Sequence, residues 1–192
     1  MVSDRSKNLY EEQAELWRSM PISASPSPWR RLGFIPSGSL QDLGFVDDSD
    51  DLLLVTLDGR ELWHCPTLSR VCVDDDDRIP SWRDLVQLRS PAIGPRADSI
   101  VRLAGVHGGG LPSMAADGWS LRLVVISLGE SYVVLDDPSA PGKDSETYKL
   151  IEGYTIFPFG FSYTGLSFVI GDGMGNIWVY VRETVGPVCG DY

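Results

Sequence analysis

"GFSYTGLSFVIGDGMGNIWVYV" occupies residues 160–181, and "GFVDDSDDLLLVTLDGRELWHC" occupies residues 44–65. Each opens on Gly-Phe, spends a few polar residues on a turn, runs apolar, breaks at glycine and closes on a segment containing tryptophan. A short apolar run bounded by turn residues reads as a buried strand. Asp58-Gly59 is a strong hairpin signal, because a tight turn needs positive φ and glycine adopts it without strain. The repetition therefore predicts one packing unit written twice. In that unit Gly44 and Gly160 let the backbone bend into the sheet. Phe45 and Phe161 anchor the core, and Trp63 and Trp178 cover the sheet at equivalent places. "DGWSLRLVVIS" (117–127) with "SYVVLDD" (131–137) is a looser third copy.

Outward from these units, the chain offers more strands. "LLLVTL" (52–57), "RELWHC" (60–65) and "RVCV" (70–73) predict a three-strand meander. Residues 100–104, 119–127 and 130–137 predict further strands, and "LSFVIG" with "NIWVYVRE" predicts a final hairpin turning at "DGMG". One convincing helix stands at residues 4–20: Leu9, Tyr10, Ala14, Leu16 and Trp17 fall near helical spacing, with Glu11, Glu12 and Glu15 elsewhere. Ser6 is a candidate cap, and Pro21 ends the run. A short helical stretch is expected across 81–88. The sum is a mainly β fold, in which antiparallel meanders form a twisted sheet, a sandwich or a partial propeller-like body with one N-terminal helix. Residues 1–28 would be the helix and a Pro/Ser-rich connector, 29–185 a single β-rich domain, and 186–192 a tail.

The chain has 192 residues, 43% hydrophobic and 10% aromatic, enough for a sizeable core. Its formal net charge of −11 repels phosphate backbones, so nucleic acid is a poor partner and a basic protein a better one. No apolar run approaches the roughly 20 residues of a spanning helix, and "MVSDRSKNLYEEQAELW" has no apolar signal core. Three cysteines without a CxxC pair argue for reduced thiols at Cys65 and Cys72 and for a cytoplasmic setting.

The wording of the repeat resembles a blade of WD-repeat and related β-propellers. A closed propeller needs four or more blades of about 40 residues, and this chain has room for about three, so the resemblance implies blade-like meanders and an open body. "GFIPSGSLQDLGFVDDSDDLLLVTLDGRELWHC" and "AGVHGGGLPSMAADGWSL" also resemble a group of β-rich bacterial proteins of similar length, which implies no activity. "PFG" at 158–160, preceding two strands, is similar to the end of SUKH-type immunity proteins. That resemblance implies a protein that occludes a toxin partner.

Three kinds of candidate site remain. "AGVHGGGLP" (104–112) sets His107 beside Gly108, Gly109 and Gly110, whose freed amides resemble an anion cradle. The phosphate-loop pattern also needs Lys followed by Ser or Thr, and Leu111-Pro112 stand there instead. A tight turn, or a loop lying under another segment, is the simpler reading. His64 and His107 are the only histidines, with no HxH or HxxxH spacing to hold a metal. The aspartates Asp47, Asp48, Asp50 and Asp51, then Asp74, Asp75, Asp76 and Asp77, then Asp136 and Asp137 lack the central Gly and closing Glu of a Ca²⁺ loop. They read as solvated turns or, if two turns share one end of a sheet, as an acidic docking surface for a basic partner. No GxSxG elbow or other catalytic constellation stands out. We therefore expect a non-enzymatic binding protein of the immunity or antitoxin kind, without metal or cofactor. The alternatives are a self-associating scaffold module, or a hydrolase working at "VHGGGLP" with His107 and Asp117.

Overall fold

The fold was analysed in a computed structural model, which describes residues 4–74, 86–139, 146–153 and 156–183. The expected short helix at 81–88, Asp75, Asp76, Asp77 and the tail from 186 onward lie largely or wholly outside those residues; 86–88 form a turn. Among them the fold is mainly β, antiparallel throughout its sheets, with helix α1 at Asp4–Ser19 and no closed barrel.

Three meanders stack face to face. The first sheet holds β9 (Ser120–Ser127), β10 (Glu130–Asp136) and β11 (Thr147–Gly153) in the order β11-β10-β9. The second, central sheet runs β1-β14-β13-β12, with β12 at Ile156–Phe161, β13 at Ser167–Asp172, β14 at Asn176–Arg182 and β1 at Trp29–Pro36. The third runs β5-β4-β3-β2-β8, from β2 (Leu40–Phe45), β3 (Asp51–Thr56), β4 (Gly59–His64), β5 (Ser69–Asp74) and β8 (Ala104–Gly105). A hairpin of β6 (Arg89–Pro91) and β7 (Ile100–Arg102) lies outside it. The expected strand at 100–104 is thus split between β7 and β8.

Alternation along each strand explains the stack. On the central sheet Phe168, Ile170 and Tyr180 face the first sheet, where they join Leu121, Val133 and Leu135. Val169, Ile177 and Val179 face the third sheet and meet Leu43, Leu52 and Leu54. Leu53 and Val55 then point the other way, onto Ala92, Ile93 and Val101 of the outer hairpin region. Strands apolar on both faces need a cover on both, which is why "LLLV" and "FVI" read as unbroken apolar runs. Trp29 is the densest point of the core: its ring lies 6.2 Å from Trp119, 5.5 Å from Phe161 and 4.9 Å from Phe168.

Helix α1 covers the open face of the first sheet. Ala14, with Trp17 beside it, packs on Ile126, Tyr132 and Val134. Arg18 donates to both oxygens of Glu130, at 2.9 and 2.8 Å. Buried Lys149 donates to the carbonyl of Trp17 at 3.0 Å, placing a cation at the negative end of the helix. Two expectations need correction. Ser6 lies inside the helix, which begins at Asp4, so it does not cap it. Tyr10 and Leu16 are exposed, because the single Ala14–Trp17 stripe suffices to meet the sheet.

The glycine-rich segment is a strap. β8 pairs with β2, the carbonyl of Pro112 accepts from the Phe161 amide of β12, and the carbonyl of Ser113 accepts from the Leu121 amide of β9. Residues 104–113 therefore cross the edges of all three sheets. A Cβ on Gly44 would collide with the Arg102 carbonyl, and one on Gly160 with Leu111. Gly160 thus serves close approach of this strap and Gly44 that of β7, not a bend of their own strands.

Candidate functional site

The turns that open the two repeat copies meet at one end of the stack. Residues 46–50 join β2 to β3, and residues 162–166 join β12 to β13. Asp50, buried, accepts from Ser162 Oγ at 2.7 Å and from Thr164 Oγ1 at 2.8 Å. Ser162 Oγ in turn accepts from the Ser167 amide at 3.2 Å, and Thr164 Oγ1 accepts from the Leu166 amide at 3.1 Å. A buried carboxylate must have its lone pairs satisfied, and here the neighbouring turn supplies the donors. The clamp fixes the 162–166 turn with its apolar side chains outward: Tyr163 is 41% exposed and Leu166 43%.

Two open clefts flank this turn. One, of about 580 Å³, lies between the central and third sheets and is lined by Arg30, Pro66, Leu166, Val181, Arg182 and Glu183. Arg30 and Glu183 form a loose ion pair at its rim, at 3.7 Å. The other, of about 380 Å³, is lined by Pro112, Met114, Ala115, Ala116, Ser162, Tyr163 and Gly165. Burial and then Asp47 raise the Tyr163 phenol above its ordinary value, against the smaller opposing pull of Arg102.

Asp47 and Asp48 are exposed on the 46–50 turn, and Asp47 is near enough to act on Tyr163. Asp74 ends β5 at the opposite end of the third sheet, across from Arg60, with which it forms a short ion pair. Asp74 is therefore not brought to Asp47 and Asp48. Asp136 and Asp137 lie at the same end as Asp47, but in the first sheet, and Arg122 neutralises Asp136. The reading of the Asp47–Asp51 run as a solvated turn fails for its second half, since Asp50 and Asp51 are buried. Asp51 accepts from Arg96 at 2.7 Å and bonds His64 Nδ1 at 2.9 Å.

His107 is paired with buried Asp42, its Nδ1 lying 3.2 Å from the carboxylate. Asp117 is instead bound to Arg182 at 2.5 Å, so the imidazole and that carboxylate do not form a dyad. Gly108 and Gly109 have positive φ, at 103° and 82°, and a Cβ on Gly109 would strike the Leu103 carbonyl. Gly108, Gly109 and Gly110 line neither cleft. Cys65 and Cys72 are free thiols. Burial, reinforced by Asp50 and Asp51, pushes the Cys65 thiol well up, which keeps it protonated and unreactive. Among the described residues no three His, Cys, Asp or Glu side chains gather as metal ligands, and no helix is long and apolar enough to cross a membrane.

Sequence reasoning passed over Ser162, Thr164 and Met114, and took Asp50 only as one member of an acidic run. The available signal was the repeat: the two turns hold the same place in their units, so face-to-face packing sets them side by side. Comparison with family models, curated proteins and solved structures gave no match to this chain.

Proposed function

We propose that the chain is a non-catalytic module that binds another protein, in the manner of an immunity protein covering a toxin. The observation that supports this most is the clamped turn: Tyr163 and Leu166 project between two open clefts while their backbone is held by buried Asp50. Exposed apolar anchors on a rigid turn lose little entropy on binding, as interface hot spots require. The partner we favour is basic, in view of the net charge of −11. The test uses wild type and Leu166→Asp as paired baits in extracts of the source cells, followed by titration of the captured protein. A partner held by wild type and lost by Leu166→Asp is expected. Equal capture by both baits, or none by either, contradicts the reading.

A self-associating scaffold is the second reading. It draws on β9, where Leu123 and Val125 stay exposed beyond the residues that the strap pairs. Light scattering across a concentration series tests it. A rising mass that Val125→Lys abolishes is expected on this reading, and a constant monomer mass contradicts it.

A further inference from the structure

We infer that the cleft between Met114 and Tyr163 receives an arginine side chain presented by a basic protein partner. The inference rests on the binding reading above and names the point of contact.

The cleft floor is made of small groups. Pro112, Ala115, Ala116 and Gly165 contribute little more than backbone, Cβ atoms and a proline ring, which leaves a slot between two taller walls. The walls are Met114, 63% exposed, and Tyr163, 41% exposed. Both keep apolar area in solvent, as Leu166 does on the same turn as Tyr163. A slim apolar stem fits such a slot better than a bulky ring.

The chemistry at the mouth decides what the stem carries. Asp47 acts on the Tyr163 phenol and Asp48 is its neighbour; both are exposed, and among the described residues neither forms an ion pair. The charged groups nearby with the opposite effect are Arg102, whose influence on Tyr163 is smaller than that of Asp47, and Arg182, which is engaged by Asp117. The mouth thus favours a cation. A methylene stem ending in a cation is what Lys and Arg offer, burying the stem while the head stays wet. Arginine fits better than lysine, because its planar guanidinium stacks on an aromatic face and meets a carboxylate side-on. The net charge of −11 draws such a segment toward the molecule from a distance.

The test is a ¹⁵N shift titration of the full chain with acetyl-Gly-Arg-Gly-amide, and with the same peptide carrying uncharged citrulline. Shifts confined to 47–48, 112–116 and 162–165 are expected for the arginine peptide and not for citrulline. Tyr163→Ala, and separately Asp47→Asn with Asp48→Asn, should each weaken binding by about threefold or more, whereas Tyr163→Phe keeps it. All these positions are exposed, so an unchanged spectrum elsewhere verifies folding. Equal shifts with citrulline, shifts scattered over other acidic surfaces, or wild-type binding by Tyr163→Ala overturns the assignment. Partner capture that survives while the peptide fails to bind removes this slot and leaves the binding reading standing. Peptide binding with no Leu166-dependent partner does the reverse.

Discussion

In the copy spanning residues 44–65, Leu52 lies opposite Trp63; in the copy spanning 160–181, Phe168 lies opposite Tyr180. The tryptophans are therefore not equivalent, as the sequence pattern suggests. The turn after β13 is one residue longer than the turn after β3, and Trp178 stands one residue nearer its Gly-Phe than Trp63 does; together these shifts pair Trp178 with Ile170, at the place that Glu61 takes against Leu54. Both tryptophans still face the same way, each donating its indole N–H to a carboxylate of its own sheet: Trp63 to Glu61, Trp178 to Asp172. The repeat keeps the face of its tryptophan, while the tryptophan's position and the turn length together choose its partner. Its turns differ more: one supplies the buried carboxylate, the other the hydroxyls that satisfy it.

The largest expected difference between the copies lies in their cores. Phe168 touches the rings of Trp29, Phe161 and Tyr180, the last stacked at 4.4 Å, whereas Leu52 lies between Phe45 and Trp63 in a cluster that is otherwise mostly aliphatic. Phe168→Ala should cost roughly 3–5 kcal/mol in denaturant unfolding, and Leu52→Ala less. The reverse order would break the view that the central sheet is the keystone.

Next come the turns after β13 and β3. Asp172 accepts from the amides of Met174 and Asn176, the Asn176 side chain and the Trp178 indole. Asp58, inside the shorter turn after β3, accepts from Ser39. Asp172→Ala should cost about 1–3 kcal/mol by the same assay, while Asp58→Ala stays within about 0.5. Similar costs would mean that the longer turn needs no special support.

The smallest effect concerns the capped face. Hydrogen bonds from Arg18 and Tyr132 hold the Glu130 carboxyl down to about 2, from an ordinary 4.5. A depressed carboxylate stabilises above its unfolded value and loses that contribution as pH falls through the folded one. Docking of α1 should therefore weaken between pH 4.5 and about 2, seen as faster amide exchange near Trp17, and Glu130→Gln should remove this dependence. Unchanged protection down to pH 2 would show that apolar contacts alone hold the helix.

Much of the fold could be read from residues. Continuous apolar runs at 52–55 and 168–170 required cover on both faces, and glycine turns marked the hairpins. The pairing of β1 with β14 could not be read locally, because it joins the two ends of the described β body across more than 140 residues of sequence, and a strand's pattern does not name its partner. The glycine strap was half legible: close approach was a stated option for 104–112, but not that it crosses three sheets. Of the site, the acidic run that holds Asp47, Asp48 and Asp50 was legible. Asp50 was hidden because a carboxylate in an acidic run reads as solvated, and its burial depends on hydroxyls 112 and 114 residues away.

The central claim is that two copies of one unit are locked together through Asp50, and that this lock sets the binding surface. A double-mutant cycle pairing Asp50→Ala with Ser162→Ala plus Thr164→Ala tests it most directly. Coupling of roughly 0.5–3 kcal/mol, with partner affinity falling in every variant that breaks the lock, is the expected result. Additive costs, with coupling under about 0.3 kcal/mol, would contradict it.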